Sequence, residues 1–204
     1  MSSKLLGNLK NGLIFVISAP AGTGKTTLVQ MLAQEFPEIT NSISCTTRKP
    51  RAGEVSGDHY HFLTREDFER RIAAGEFLEY VELYGNYYGT SKEKVNEQLK
   101  RGKHVILTID TQGALQLRGK LAAAYIFIYP PSLDVLRKRL IQRQTETAEV
   151  IEERLTWAIK EMQAAALYDY NIVNDNLKIA YQTLLSIFIA EEHRVINIEE
   201  SNKL

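Results

Sequence analysis

The sequence has very little cysteine and no excess of charge of either sign. Cys45 is the single cysteine among 204 residues, which excludes an internal disulfide and favours a reducing compartment. Lysine and arginine total 25, and aspartate and glutamate also total 25. A broad nucleic-acid surface needs a basic excess, so nucleic acid is not expected as a partner. We therefore predict a cytoplasmic protein in which any anion site is a local cluster.

Long hydrophobic runs are also absent. No stretch approaches the ~18 apolar residues that a membrane-spanning helix requires, so no membrane association is expected. Early lysines, a short apolar run and small residues at Ala19 and Ala21 resemble a secretory signal. The run covers only residues 13–17, however, and a glycine-rich loop explains the small residues better. Residues 1–11 and 195–204 are expected to be flexible ends.

Apolar patterning predicts an α/β fold. The sequence is 44% hydrophobic and 25% charged, which is enough apolar material for a sizeable core. Continuous apolar runs that are typical of buried strands cover residues 12–18, 104–110 and 123–129, and "NIVN" at 171–174 is predicted as a last short strand. Helical spacing covers residues 26–36, 130–143, 147–170 and 177–194. This alternation predicts a mostly parallel sheet flanked by helices on both faces.

The middle of the chain, about residues 45–95, breaks that rhythm. Strand-like patterns cover 58–63 and 76–84, and helical patterns cover 64–75 and 91–102. Thr64 is a candidate N-cap for the first of these helices. The change of pattern predicts a mixed α/β subdomain inserted into the parallel fold.

A phosphate-binding loop follows the first predicted strand. "APAGTGKTT" fits the pattern G-x-x-x-x-G-K-[ST], except that Ala19 replaces the first glycine. Backbone N–H groups at the start of the next helix can bind phosphate, Lys25 can reach the terminal phosphates, and the Thr26 hydroxyl suits Mg²⁺. The alternative is a structural turn that contains Gly-Lys-Thr. The predicted nucleoside triphosphate site comprises Ala19, Pro20, Ala21, Gly22, Thr23, Gly24, Lys25, Thr26 and Thr27.

A second anion site is indicated by "TTRKPRAGE", residues 46–54. Arg48 and Arg51 flank Pro50, which argues against a helix and for a rigid loop. Planar guanidiniums clamp phosphate with paired hydrogen bonds, and Tyr60 and Tyr88 can add phenolic donors. The alternative is a solvated basic loop.

Several motifs, in this order, resemble guanylate kinase. They are "SAPAGTGKTT", "SCTTRKPRAGEVSGDHYHF", "FLEYVELYGNYYGTS", "IDTQGA", "PPSLDVLRKRLIQRQTET" and "YDYNIVND". The match runs from about Gly12 to about Arg194. The resemblance implies a P-loop kinase with a core, a GMP-binding subdomain at about 45–95 and a helical lid at about 137–155. It also implies transfer of a phosphoryl group from ATP to GMP, and possible use of dGMP, with Mg²⁺ bound alongside ATP.

The resemblance also implies roles for individual residues. Four are implied to hold the phosphate of GMP: Arg48, Arg51, Tyr60 and Tyr88. Four are implied to surround the guanine: Ser44, Glu79, Thr90 and Asp110. Five residues are implied to act on the transferred phosphoryl group: Lys25, Arg48, Arg139, Arg143 and Arg154. The residues implied to lie beside the adenine are Asn174 and Asp175.

Two departures from the family pattern and two alternatives stay open. Thr108 stands where many relatives carry aspartate, so one acidic partner that the family pattern offers near Mg²⁺ is missing at this position. Gln144 replaces a glycine after Arg143. The alternative functions are a kinase for another nucleoside monophosphate and a non-catalytic protein-interaction module. The oligomeric state is not predicted. The four histidines share no metal-ligand spacing, so we interpret them as structural or solvated.

Overall fold

The computed structural model describes residues 4–83, 85–142 and 147–195. Its strands are β1 Ile14–Ser18, β2 Ile39–Asn41, β3 Cys45–Thr46, β4 His61–Phe62, β5 Phe77–Leu83, β6 Asn86–Ser91, β7 His104–Thr108, β8 Ala124–Tyr129 and β9 Tyr170–Val173. Its helices are α1 Lys25–Glu35, α2 Arg65–Ala73, α3 Lys92–Lys100, α4 Thr111–Leu117, α5 Leu133–Gln142, α6 Ala148–Ala164 and α7 Leu177–Glu192. Among these helices, none combines the length and apolar character needed to cross a membrane.

Five strands form a parallel sheet in the order β2-β7-β1-β8-β9. All five residues of the central strand β1 are buried, because helices cover both faces of the sheet. Phe15 packs toward α1 and α7 with Leu28 and Phe188, whereas Val16 packs on the opposite face with Leu107. The α/β fold with a mostly parallel sheet, predicted from the apolar runs, is confirmed.

The inserted segment forms a second, mixed sheet in the order β4-β3-β6-β5. Helix α2 covers it through Phe68, which is fully buried and stacks on Phe77 with ring centroids 4.4 Å apart. Thr64 caps α2, and its hydroxyl accepts a hydrogen bond from the Asp67 N–H at 3.1 Å. The predicted cap and the predicted mixed subdomain are therefore present.

Several elements differ from the sequence prediction. The pattern at 58–63 gives a strand of only two residues, and the short strands β2 and β3, the hairpin strand β6 and the helix α4 were not predicted. The helix predicted over 147–170 ends at Ala164 and is followed by a 3₁₀ turn at Ala165–Leu167. It ends early because residues 170–173 pair with β8 at the edge of the parallel sheet.

Residues 4–11 pack against the body of the protein, where the sequence predicted a mobile leader. Leu6 is 2% exposed and belongs to the core beneath α1 and α7. The backbone N–H groups of Gly7 and Asn8 donate to the Glu192 carboxylate at 2.7 and 2.8 Å. The same carboxylate lies 2.5 Å from Nε2 of buried His104. A carboxylate from the last helix therefore fixes this segment, which its polar sequence did not indicate.

Candidate active site

The predicted phosphate loop joins the end of β1 to the start of α1. Gly22 and Gly24 have φ angles of +91° and +97°, in the left-handed region that favours glycine. A Cβ atom on Gly24 would lie 2.5 Å from Nδ2 of Asn174, so a side chain there would also displace that amide from its hydrogen bond to the loop. Ala19, which replaces the first glycine of the pattern, is 6% exposed and packs in the core. The loop therefore accepts alanine at that position without losing its glycine-dependent turn.

Two side chains from distant segments brace this loop. Nδ2 of Asn174 donates to the Thr23 carbonyl at 2.7 Å. The Arg139 guanidinium donates to the carbonyls of Thr23 and Asn174 at 3.3 and 2.9 Å. Helix α5 and the segment after β9 thus contact the loop directly. Asp175, which the resemblance placed beside the adenine, directly follows Asn174 and is exposed.

Lys25 lies among carboxylates at the first turn of α1. Burial lowers the pKa of its ammonium group, and the negative charges of Glu161 and Asp110 oppose that shift. Burial likewise raises the pKa of Glu161 to about 7, with Asp110 adding to the rise and Lys25 opposing it. The sequence prediction missed Glu161. Its position seven residues after Arg154, two turns along the same face of α6, was the available signal.

A buried carboxylate lies in the inserted subdomain, close to the parallel sheet. Glu79 is 4% exposed, and its Oε1 accepts a 2.6 Å hydrogen bond from the hydroxyl of buried Thr90. Burial raises the pKa of Glu79 to about 7; the Thr90 hydroxyl opposes this rise and the Asp110 charge adds to it. A Cβ atom on Gly113 would lie 2.6 Å from Oε2 of Glu79, so a side chain there would displace this carboxylate from its position.

Asp110 connects the two halves of the site. It ends the segment after β7 and caps α4, where its Oδ1 accepts from the Gly113 N–H at 2.8 Å. Burial raises the pKa of Asp110, and the backbone hydrogen bond and the Lys25 charge oppose that rise. Asp110 is close enough to both Lys25 and Glu79 to affect the pKa of each, so it is near the phosphate loop and near the buried carboxylate.

A second cluster in the subdomain is aromatic and cationic. The Arg48 guanidinium lies 5.3 Å from the centroid of the Tyr60 ring, and the Tyr60 and Tyr88 ring centroids are 6.1 Å apart. Hydrogen bonds to Glu54 and then to Tyr88 raise the pKa of Arg48. Arg51 is exposed at the edge of this cluster, and Ser44 is half-buried. The structure thus brings together three of the four residues that the resemblance assigned to an acceptor phosphate.

The remaining predicted residues lie at the edge of the site or outside the described residues. Arg154 is half-buried on α6. Arg143 and Gln144 fall outside the described residues. Within residues 4–83, 85–142 and 147–195, no three His, Cys, Asp or Glu side chains form a group that could hold a metal. The Thr108 hydroxyl donates to Oδ1 of Asn41 at 2.5 Å.

Thr26 fits a metal site that is shared with phosphates. Its side chain is exposed in the first turn of α1, immediately after Lys25 and at the end of the phosphate loop. Mg²⁺ commonly uses one or two protein oxygens together with phosphate oxygens and water. The residues present therefore suit a magnesium ion that arrives with a nucleoside triphosphate.

Fold and site together define a class of protein. A glycine-dependent phosphate loop at the carboxyl end of a parallel strand, with a lysine at the helix start and an inserted mixed α/β subdomain, defines a P-loop nucleotide kinase. The guanylate kinase family model matches residues 12–191. The chain therefore belongs to the guanylate kinase family.

Individual relatives agree with this family. The chain is 60% identical over 189 residues to a guanylate kinase of Protochlamydia amoebophila, covering 93% of this chain and 96% of the relative. It is 45% identical over 202 residues to one from Clostridium perfringens strain SM101, covering 98% and 93%. A crystal structure of guanylate kinase from Anaplasma phagocytophilum superposes with a TM-score of 0.73 at 32% identity, covering 92% and 89% of the two chains.

Proposed function

We propose that this chain transfers the γ-phosphoryl group of ATP to GMP and releases ADP and GDP. ATP binds the loop of residues 19–27, and GMP binds between the inserted subdomain and the parallel sheet. The observation that carries this proposal is the buried Glu79–Thr90 pair, which Asp110 connects to Lys25. Family membership supports the same reaction.

The chemistry of Glu79 favours guanine as the base. Guanine presents N1–H and an exocyclic amine side by side, and a carboxylate has two oxygens that can accept both hydrogens. The Thr90 hydroxyl already occupies one lone pair of Oε1 and fixes the carboxylate in place. Adenine presents an acceptor at N1, which would face a carboxylate oxygen without a hydrogen between them. Leaving such buried polar groups unpaired can reject a substrate by roughly 10⁴-fold. In this proposal Ser44 and Asp110 complete the base pocket.

The chemistry of the transfer follows from positive charge around two phosphates that repel each other. In this proposal Arg48, Arg51, Tyr60 and Tyr88 hold the phosphate of GMP. Lys25 and the backbone of the phosphate loop hold the terminal phosphates of ATP. Arg139, Arg143 and Arg154 are proposed to act on the transferred phosphoryl group, and closure of the lid at about 137–155 is proposed to exclude water.

Magnesium is proposed as the cofactor, held by Thr26 and the ATP phosphates. When bound, it would neutralise charge on the phosphate oxygens. Asn174 and Asp175 are proposed to lie beside the adenine, with Asn174 acting through the Thr23 carbonyl.

We also propose a cytoplasmic location, which the single buried cysteine, Cys45, supports. GMP, dGMP and ATP are the proposed substrates.

A coupled assay of ADP release tests the proposal. Wild-type protein is given ATP and magnesium with GMP, dGMP, AMP, CMP or UMP in turn, and a reaction without acceptor measures background hydrolysis. We expect turnover with GMP and dGMP far above that with the other three. Equal turnover with AMP would indicate a different monophosphate kinase, and no turnover with any acceptor would indicate a binding module.

A further inference from the structure

Arg48 is paired with a carboxylate that has no role in the site described above. Nη1 and Nη2 of Arg48 donate to Oε2 and Oε1 of Glu54, both at 2.9 Å. The two side chains are only 16% and 17% exposed. This is the paired, planar geometry in which guanidinium–carboxylate contacts are strongest and most directional. Glu54 therefore fixes both the position and the plane of the Arg48 guanidinium.

A tight turn brings Glu54 back onto the arginine loop. The Glu54 N–H donates to the Arg51 carbonyl at 3.0 Å, which closes a β-turn over residues 51–54. Gly53 is the third residue of that turn and has a φ of +84°, a conformation that favours glycine. Oε2 of Glu54 also accepts the Arg51 N–H at 2.7 Å. One carboxylate thus binds the side chain of Arg48 and the backbone of Arg51.

The pairing leaves part of the guanidinium available. Arg48 has five N–H donors, of which Glu54 takes two and the Lys49 carbonyl takes a third, from Nη1 at 2.8 Å. The two others are the Nε–H and the second Nη2–H, and they form the second forked edge of the same plane. Tyr88, itself a proposed phosphate ligand, lies beside this guanidinium and helps to raise its pKa. This second fork has the geometry that receives an oxyanion through two parallel hydrogen bonds.

The charge state of the pair favours a permanent contact. Hydrogen bonds from Arg48 and then from the Arg51 backbone lower the pKa of Glu54 to about 2. Glu54 is therefore ionised throughout the neutral range, and the contact does not depend on pH there. An unrestrained arginine would lose substantial rotamer freedom on binding phosphate, and a preformed pair avoids part of that loss.

We propose that Glu54 is a positioning residue of the acceptor site, which holds Arg48 and the Arg51 backbone ready for the phosphate of GMP without touching the substrate. This inference rests on the proposed function, because it takes Arg48 as a phosphate ligand. The opposite possibility is that Glu54 imitates the phosphate and must leave before GMP binds. The two ideas predict changes of opposite sign when Glu54 loses its charge.

Calorimetry with two ligands separates these ideas. E54Q is titrated with GMP and with guanosine, which has the same base but no phosphate. We expect the Kd for GMP to rise roughly 10-fold or more, the scale for losing a charge-assisted hydrogen bond, while the Kd for guanosine stays the same. In steady state the KM for GMP should rise more than kcat falls. Tighter GMP binding by E54Q would overturn the proposal in favour of competition.

E82Q is the matched control. Glu82 pairs with Arg65 at 3.1 Å in the same subdomain, and Arg65 lies over an aromatic ring, Tyr87, at 4.5 Å, much as Arg48 lies over Tyr60. Glu82 pairs in the sheet with Tyr87, whereas the proposed phosphate ligand Tyr88 is the next residue and lies on the other face of the sheet. The control removes a charge from a more exposed ion pair, so both Kd values should stay at the wild-type level. Equal weakening of GMP and guanosine by E54Q, or no change in either, would show that Glu54 does not position the phosphate ligands.

A third variant distinguishes failure of this inference from failure of the proposed function. R48A should raise the Kd for GMP at least as much as E54Q does and leave the Kd for guanosine unchanged. If R48A behaves so and E54Q does not, only the role of Glu54 is wrong. If R48A binds GMP as the wild type does, then Arg48 is not a phosphate ligand and the assignment of the acceptor site is wrong as well. Circular dichroism melting of each variant verifies folding.

Discussion

The hydroxyl of Thr90 donates a 2.6 Å hydrogen bond to Oε1 of Glu79, and both side chains are almost fully buried. Burying a carboxylate is costly unless its charge is paired or accepts hydrogen bonds. Burial raises the pKa of Glu79 to about 7. In a guanine pocket that cost is offset when the base donates two hydrogens to the carboxylate. In the proposed guanine pocket the pair would therefore act as a binding group whose charge the base stabilises.

The raised pKa of Glu79 predicts proton release when GMP binds. Guanine needs the ionised carboxylate, but a group with a pKa of about 7 is half protonated at pH 7. Binding at pH 7 should therefore release about half a proton, and affinity should rise with pH until it levels above the pKa. Calorimetry with guanosine in buffers of different ionisation enthalpy measures this release without a contribution from the phosphate. Release that is unchanged in Glu79→Gln would assign the proton to another group.

Removing the charge of Glu79 should lower activity but raise the stability of the folded protein. The folded-state pKa of Glu79 is about 7 and lies above the ordinary value of 4.5, so ionisation destabilises the folded protein as pH rises from 4.5 to 7. Glu79→Gln keeps an acceptor for Thr90 and removes the charge. We expect it to raise the free energy of unfolding by up to about 3 kcal/mol at pH 8 and by little at pH 4.5. Denaturant unfolding at both pH values measures the difference, and a pH-independent change would contradict this explanation.

Lys25 should serve the donor nucleotide and not the acceptor. Lys25→Ala removes the cation at the start of α1, so turnover should fall by at least 10²-fold while the Kd for GMP stays nearly unchanged. Steady-state rates and calorimetry with GMP measure the two effects. Lys100→Ala is the control, because Lys100 is exposed at the end of α3. A Lys25→Ala protein with near-normal turnover would refute the phosphate-loop assignment.

Much of the donor site could be predicted from local sequence. The apolar run of β1, the glycine-rich loop and the start of α1 are consecutive, so one stretch of chain specifies the strand, the turn and the helix start. Thr64 as a helix cap is local in the same way. Local sequence could not predict the hydrogen bonds that brace the phosphate loop. Arg139 and Asn174 donate to the Thr23 carbonyl from positions more than one hundred residues away in the chain.

The subdomain shows the same limit. Strand β6 lacks regular alternation and is defined by its pairing with β3 and β5. Glu54 follows the arginine pair closely in sequence, yet its contact with Arg48 depends on the turn at Gly53. Gly113 has no special signal in "IDTQGA", and only the position of Glu79 shows that a side chain there would displace a buried carboxylate. Contacts between segments decide these features.

Arg139 should matter most when the phosphoryl group is transferred. Its guanidinium joins α5 to the Thr23 carbonyl and to the segment after β9. Arg139→Ala should therefore lower kcat and kcat/KM together, by roughly 10²-fold for the loss of a charged group at the transferred phosphate. Lys138→Ala, which removes an exposed charge from the same helix, should have little effect. A change confined to the KM for ATP would instead indicate ground-state binding.

Acid should weaken the contact that fixes the start of the chain. Burial alone would raise the pKa of Glu192, but hydrogen bonds from His104, the Gly7 and Asn8 backbone and the Asn8 amide together lower it to about 2. Its stabilisation is therefore complete above pH 4.5 and is lost as pH falls toward 2. Glu192→Gln should lower the free energy of unfolding by up to about 3 kcal/mol at pH 6 and by much less at pH 3. Equal losses at both pH values in denaturant unfolding would contradict this role.

The most direct test of the account is the ratio of kcat/KM for GMP to kcat/KM for AMP, measured in wild-type protein and in Glu79→Gln with ATP and magnesium. At a pH of about 8.5, where a carboxyl with a pKa of about 7 is ionised, we expect a wild-type ratio of roughly 10⁴ or more, because the buried carboxylate pairs with guanine and leaves adenine unpaired. In Glu79→Gln the ratio should collapse by at least about 10²-fold, mainly through loss of GMP use, while the protein stays folded by circular dichroism. An unchanged ratio in the variant would show that Glu79 does not read the base.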